Sequence, residues 1–426
     1  MHWPQLLTAD RLVAPPDTEG DARTPFERDY GRILFSNAFR RLHNKTQVFP
    51  MPDNDHVHSR LTHSLEVASV GATLGKTIGA EVVRRHGLVG IQPGHLGDVV
   101  AAACLAHDLG NPPFGHAGEA AIGHYFAGPG AEWLAPLSAA QRADFERFEG
   151  NAQGFRLIAR TQMYSGEGGM RLTKAVLGAF AKYPQGSLHA GDKTRAGGKK
   201  FGWFDAEAPL FAEVARACEL LPVAGLDGAW HRHPLAFVME AADDICYHVL
   251  DLEDGVSLRL VDARLAAELF GALLDRDPAT LSNRPVSVLR AKAINKLVHE
   301  VTAAFLDAEE AILAGRFDRA LVDVIPSAAA MRHVFAENMR LCYRSEVVLG
   351  LEQAGYTVIG GLLAALLDSV FDRKNPHLRQ ILPDGIPPGG ARYETLLAVT
   401  DWISGMTDRY ALRKYQQWTG IALESV

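Results

Sequence analysis

The chain has 426 residues, with 43 basic and 50 acidic side chains and a formal net charge of −7. At about 150 residues per domain this is room for two to three domains or one large one. An apolar fraction of 47% and a charged fraction of 22% exclude wholesale disorder and a fibre, and the acidic balance argues against a nucleic-acid-coated surface while leaving room for a local basic pocket. Cys104, Cys218, Cys246 and Cys342 are scattered and form no CxxC pair, which favours a reducing compartment over a disulfide framework. The opening MHWPQLLTADRLVAPP has no basic segment followed by an apolar run. No run of about 18 uninterrupted apolar residues occurs. The expected setting is cytoplasmic, with no membrane span.

Residues 1–25 are rich in Pro, Asp and Thr and read as a flexible arm ahead of a single large unit over 26–426. Helical spacing begins at Pro25–Leu42 and resumes from about Leu61 to Arg85, with Leu61, Leu65, Ala68 and Ala72 on one stripe. Asp98 is the expected N-cap of VVAAACLAHDL, which stops at Gly110 ahead of Pro112 and Pro113. Segments 138–165, 170–183, 206–222, 234–254, 261–275, 285–315, 326–343, 345–371 and 391–416 also read as helices. Alternating strands are nearly absent, so the expected fold is mainly α. Residues 184–205 are rich in Gly and Lys and read as a mobile loop, and 372–390 as a second irregular connector.

The chemistry-bearing residues lie in three separated segments. His107 and Asp108 stand where a helix is about to end, so both side chains can turn toward one point; an imidazole and a carboxylate suit Mn, Fe, Co, Ni or Zn. Taken alone, the dipeptide is a weak signal, and a solvated helix end is the plainer reading. Arg60 and His63 are three apart on one helical face, an arrangement suited to holding phosphate beside a metal ligand. Asp243 and Asp244 lie among Ala, Val and Ile, where burial without a cation or hydrogen-bond partner is costly. Asp243, Tyr247 and Asp251 share a face. His63, His107, Asp108 and Asp243 thus make a candidate two-His, two-carboxylate metal site with positions left open for water and substrate.

The H…HD…D pattern resembles the HD-domain phosphohydrolases, and more narrowly the deoxyguanosinetriphosphate triphosphohydrolase-like (dGTPase-like) family. The resemblance rests on RDYGRILFSNAFRRLHNKTQVFP (28–50), SRLTHSLEV (59–67), ACLAHDLGNPPFGHAGE (103–119), FEGNAQGFRLIAR (148–160), LTKAVLGAFAKYP (172–184), MEAADDICYHVLDLEDG (239–255), LEQAGYTVIGGLL (351–363) and DWISGMTDRYAL (401–412). It implies a helical HD-domain fold and hydrolysis of a dNTP to deoxynucleoside and inorganic triphosphate by attack at the α-phosphorus.

By the same resemblance His63, His107, Asp108 and Asp243 are the metal ligands, for Mn, Mg, Fe or Co, with a second Mg²⁺ travelling with the nucleotide. His116 and Glu119 are the catalytic pair, and Asn111 to Gly115 is the turn that presents them. Arg60 contacts phosphate, and Tyr247 and Asp251 read the sugar, with Tyr247 filling the place of a 2′-hydroxyl. Gln47 and Val48 line the base or sugar pocket, while Asn151, Lys182 and Tyr183 face the triphosphate. Glu352, Tyr356, Arg409 and Arg413 lie in family segments without an assigned role. His43 and Asn44 depart from the family pattern and bear on base preference. Relatives implied by the resemblance form tetramers or hexamers. Two other readings stay open: another HD-superfamily nucleotidase or phosphodiesterase, and a nucleotide- or single-stranded-DNA-binding regulator with vestigial catalysis, for which Lys193 to Lys200 is the basic tract.

Overall fold

The computed structural model describes residues 1–14, 21–48, 57–164, 168–372, 376–380, 382–383, 385–386 and 390–422. Residues 15–20 of the expected arm and several positions of the 372–390 connector lie outside them. The fold is helical, and among the described residues β-pairing is confined to isolated bridges such as Arg11 with Thr173. The helices that position the site are α1 (Trp3–Leu6), α2 (Pro25–Leu34), α3 (Arg60–His86), α4 (Pro93–Ala106), α5 (His116–Ala127), α6 (Gly150–Arg156), α7 (Lys174–Phe180), α8 (Pro234–Ser257), α9 (Val286–Leu313), α10 (Ala328–Asn338), α11 (Glu346–Leu367), α12 (Arg392–Ser404) and α13 (Asp408–Trp418).

Local sequence sets the helix starts. Ser59 and Thr62 form a reciprocal capping box at the head of α3, and Gly87 at φ 58° ends it in the left-handed conformation. The start of α4 differs from expectation. Asp98 lies inside the helix, which begins five residues earlier, where Pro93 supplies a preset φ and no unmatched N–H. The buried face of α3 differs in part: Ala68 of the expected stripe is buried with His63, Val67, Gly71, Leu74 and Ile78, while Leu65 is exposed. Close packing on α4 selects the face with the smallest residues. A Cβ on Gly75 would come within 2.8 Å of the Leu96 carbonyl oxygen, and one on Gly79 within 2.8 Å of that of Pro93.

Two expected helices are interrupted, and two others end irregularly. Segment 138–165 divides at Arg147–Glu149, and 391–416 divides at Gly405–Thr407. Segments 326–343 and 345–371 end in wide π turns at Met339–Tyr343 and Asp368–Asp372. Helix α5, not among the expected elements, follows directly on the Asn111–Gly115 turn. Val348–Phe371 is apolar and long enough to cross a bilayer by composition, but half of it is buried in the fold.

Two hydrophobic cores organise the chain. One gathers α2, α3, α4 and α7 to α10; the other gathers α5, α11, α12 and the segment around Phe201 and Phe204. Leu109 belongs to the first and Phe114 to the second, so the four residues between them carry the chain from one core to the other. The N-terminal residues belong to the first core rather than to a loose arm. Trp3 and Leu6 are buried, and the Trp3 Nε1–H donates to Glu309 Oε1 at 2.8 Å. The four cysteines are buried and unpaired.

Candidate metal and catalytic site

The end of α4 delivers the first donors. His107 is its C-cap residue, and its Nδ1–H donates to the Cys104 carbonyl oxygen at 2.6 Å. That bond fixes the tautomer and leaves the Nε2 lone pair free. Nε2 lies 3.4 Å from Asp243 Oδ1, and His63 Nε2 lies 3.2 Å from the same oxygen. The ligand atoms of His63, His107 and Asp243 all fall within 4.8 Å of one another. Atoms that each sit about 2.0–2.2 Å from one ion are spaced in this way.

Asp108 adjoins this trio. Its Oδ2 is 3.5 Å from His107 Nε2 and 2.7 Å from Arg60 Nη1, yet it is buried and accepts no hydrogen bond among the described residues. Asn111 Nδ2 donates to the other oxygen. This oxygen, ion-paired with Arg60 but outside hydrogen-bond geometry, faces two imidazoles and a second carboxylate, a donor set that suits a further cation. Burial works against ionisation of both aspartates. Even so, Arg60 and the imidazoles hold Asp108 well below the usual carboxylate range, and Lys182 and His107 do the same for Asp243. The residues present therefore fit a divalent metal.

Between the two cores the backbone is tightly turned. Phe114 and Gly115 have φ of 65° and 57°, and a Cβ on Gly115 would meet Arg60 Nη2 at 2.6 Å. A bulky residue in the left-handed region costs about 1–3 kcal/mol. Here the turn is held by Asp408, whose Oδ1 accepts from the Phe114 N–H at 3.1 Å and whose Oδ2 accepts from the Thr46 N–H at 2.9 Å. Lys45, fully buried, donates to the carbonyl oxygens of Asn111 and Ser404, each at 2.6 Å.

The turn opens into α5 with His116 exposed and Glu119 buried. His116 Nδ1 lies 2.7 Å from Glu119 Oε2, and the Glu119 charge raises the pKa of the imidazole. Glu119 also accepts from the Gly150 N–H at 2.8 Å. Burial opposes its ionisation, but Lys200 and His116 bring it down to about 2.

Several expected substrate residues are engaged with neighbours. Lys182 donates to Asp243 Oδ2 at 2.6 Å, so it orients a candidate ligand instead of standing free for phosphate. The Asn151 amide donates to Glu149 Oε1 at 2.7 Å. Tyr183 has the Arg232 guanidinium 5.9 Å from its ring centre. Tyr247 is half-buried, and Asp251 is pushed up to about 8, chiefly by burial. Gln47 is half-buried with an unpartnered buried Oε1, and Val48 packs against the first core. His43 and Asn44 are exposed on the 3₁₀ turn Leu42–Asn44. Glu352 and Arg409 are exposed, Tyr356 meets the His124 ring edge-on, and Arg413 lies over Tyr410.

Three neighbours escaped sequence reasoning. Tyr343 stacks on Tyr247 with ring centres 5.5 Å apart, and its hydroxyl donates to Asp251 Oδ2. It sits on the π turn that ends α10, which residue spacing does not reveal. Lys200 reaches Glu149 at 3.0 Å and Glu119 at 3.8 Å. It comes from the segment expected to be a mobile loop. That segment lacks long helices as expected, but Gln185, Phe201, Trp203 and Phe204 are buried, and the buried aromatics after Lys200 were the available signal. Glu149 caps α6 and was readable only as part of its motif.

Comparison with known proteins gives the family. The HD domain family matches residues 60–171, which span α3, α4, the turn and α5, and the phosphohydrolase-associated domain family matches 324–417. A deoxyguanosinetriphosphate triphosphohydrolase-like protein of Synechocystis is 42% identical over 99% of this chain and 100% of its own length. One from Pseudomonas aeruginosa is 39% identical over 99% of both chains. A Klebsiella pneumoniae protein named deoxyguanosinetriphosphate triphosphohydrolase is 31% identical over 96% of both. Similarity of this extent, with the HD segment covering His63, His107 and Asp108 though not Asp243, makes the chain a member of the dGTPase-like family of HD-domain phosphohydrolases.

Proposed function

We propose that the chain is a metal-dependent dNTP triphosphohydrolase that releases deoxynucleoside and inorganic triphosphate by cleavage at the α-phosphorus. The observation that carries this reading is the joining of two groups of residues by one short turn: the donors His107 and Asp108 precede it, and the His116–Glu119 pair follows it. His63, His107, Asp108 and Asp243 would hold a divalent ion (Mn, Mg, Fe or Co), which supplies Lewis-acid polarisation of phosphoryl oxygens and a more acidic water.

The chain's own residues do the rest. Glu119, ionised above about pH 2, bonds His116 Nδ1 and raises the proton affinity of the ring. As water adds to the α-phosphorus and the bond to the 5′-oxygen breaks, Nε2–H gives its proton to that departing oxygen. Arg60, held against Asp108 at 2.7 Å, offsets phosphate charge from the edge of the cluster. Lys182 holds Asp243 in place, and Lys200, beside Glu119, is a second cation at the tail. The stacked Tyr247–Tyr343 pair, with Asp251 bonded to Tyr343, forms a wall for the sugar that excludes a 2′-hydroxyl by bulk. Gln47 and Val48 line the base side, Asn151 and Tyr183 border the tail, and a second Mg²⁺ accompanies the nucleotide. Four buried, unbridged cysteines suit a cytoplasmic setting.

Product chromatography on each of the four dNTPs, with Mn²⁺, Mg²⁺ or Co²⁺ in turn, tests the reading. Deoxynucleoside and triphosphate in equal amounts are expected. Orthophosphate or pyrophosphate as the inorganic product would overturn it.

A further inference from the structure

The segment 184–205, which brings Lys200 to 3.8 Å from Glu119, is fastened near both ends to one short helix, Ala139–Glu146. Near its start, the Ser187 hydroxyl donates to the Ala140 carbonyl oxygen at 3.2 Å. Arg147, at the C-terminal end of that helix, donates to the carbonyl oxygens of Ser187 and Ala190 at 3.0 and 3.1 Å. At the far end, the Asp205 N–H donates to Asp144 Oδ2 at 2.8 Å. The same oxygen accepts from the Tyr393 hydroxyl of α12 at 2.6 Å, and that hydroxyl accepts in turn from the Ala206 N–H at 3.2 Å. Asp144 is fully buried, yet its other oxygen has no hydrogen-bond partner and no cation pairs with it among the described residues. Asp29 and Glu207, equally buried, each have an arginine. Burying a carboxyl without a counter-charge is costly, and an amide or an apolar side chain would avoid that cost. An ionisable group held in such a place, beside a segment that reaches the catalytic pair, points to use of its proton.

We propose that Asp144 is a positioning residue: with Tyr393 it clasps the end of this segment and so fixes where Lys200 stands relative to His116 and Glu119. The clasp depends on protonation. Burial pushes Asp144 up to about 7. The titratable groups facing it are Tyr393 from α12 and Asp205 from the segment, with Glu207 beyond Tyr393, and none of them is a cation. With the clasp open, the carboxyl meets water and titrates near its ordinary value of about 4. The closed clasp therefore binds the proton more tightly. It is firmest below a pH of about 4, loosens as pH rises from there to about 7, and changes little beyond. The effect on nucleotide rests on the proposed catalytic reading, in which Lys200 meets the triphosphate; the clasp itself does not.

Hydrogen–deuterium exchange of the full chain between pH 5 and pH 8, corrected for the intrinsic pH dependence of amide exchange, reads the clasp with neither metal nor nucleotide. Protection over residues 185–206 should fall about tenfold or more from pH 5 to pH 7 and then level off, while the amides of α4 show no such step. Asp144→Asn keeps an acceptor but cannot ionise, so its segment should stay protected with no step. Tyr393→Phe should lower protection of the segment already at pH 5, and it decides the matter even if the Asp144 variant does not fold. The same pH course in wild type and Asp144→Asn, protection of the segment unchanged in Tyr393→Phe, or an equal loss in the segment and in α4 would overturn the proposal. In turnover, the KM for a dNTP should rise with pH more steeply in wild type than in Asp144→Asn, with kcat less affected. Equal KM profiles beside the expected exchange result would count against Lys200 at the triphosphate and leave the clasp standing.

Discussion

His107 and His116 are nine residues apart and exposed to opposite demands. His107 is buried, its Nδ1–H committed to a backbone carbonyl, so it is shaped to donate a lone pair. His116 is open to solvent and charged by Glu119, so it is shaped to donate a proton. Two substitutions separate these roles. His107→Ala should lose both bound metal, by elemental analysis, and turnover. His116→Ala should keep its metal while hydrolysis slows by about 10²–10⁴-fold; an unchanged rate removes His116 from the reaction. The pH profile gives an independent readout. A general acid must be protonated, so kcat falls as pH rises through the His116 pKa. Glu119→Gln removes the charge that raises this pKa and should shift the alkaline limb toward lower pH.

At the scale of elements, the decisive packing is of helix ends on helix faces. Gly110, just beyond α4, lies against α6 so closely that an added Cβ would fall 2.1 Å from both the Gly150 carbonyl oxygen and the Gly154 nitrogen. Both are backbone atoms, and neither can rotate away. Gly110→Ala should therefore lower stability by about 1–3 kcal/mol or more, read as a reduced thermal midpoint, and should weaken metal binding because His107 and Asp108 move with the turn. A midpoint equal to wild type would show that the α4–α6 contact yields without cost. The existence of α4 and its stop near Gly110 were legible from an apolar run closed by Gly and Pro. The inward face of α3 was legible only in part, because a stripe of Leu and Ala and a stripe of Gly, Val and His are equally periodic. Only the closeness of α4 favours the smaller residues.

Across the whole molecule, the termini of distant segments are fastened to one another. The N-terminal Trp3 packs on Phe305 and bonds Glu309, which also pairs with Arg85 and His86 at the end of α3. The opening residues thus brace the far end of the helix whose head carries Arg60 and His63. Trp3→Ala should cost about 3–5 kcal/mol, seen as a lower urea midpoint, with the metal cluster intact in what remains folded. If the midpoint is unchanged, the opening helix is an ornament on a fold that stands without it. The segment 184–205 shows the same principle in the opposite direction: its Gly and Lys content suggested mobility, but Phe201, Trp203 and Phe204 anchor it in apolar surroundings and leave Lys200 beside Glu119.

Read by itself, the order of residues determined the helical class and the donor types. It also placed the cluster's components, because Arg60 and His63 are three apart on one helical face and His107–Asp108 stand where a helix ends. Tertiary structure alone decided what those groups touch. Lys182 meets Asp243 across 61 positions of chain and Tyr343 meets Asp251 across 92. Such pairings depend on which apolar surfaces bury one another, a property of the assembled helices that no local spacing records.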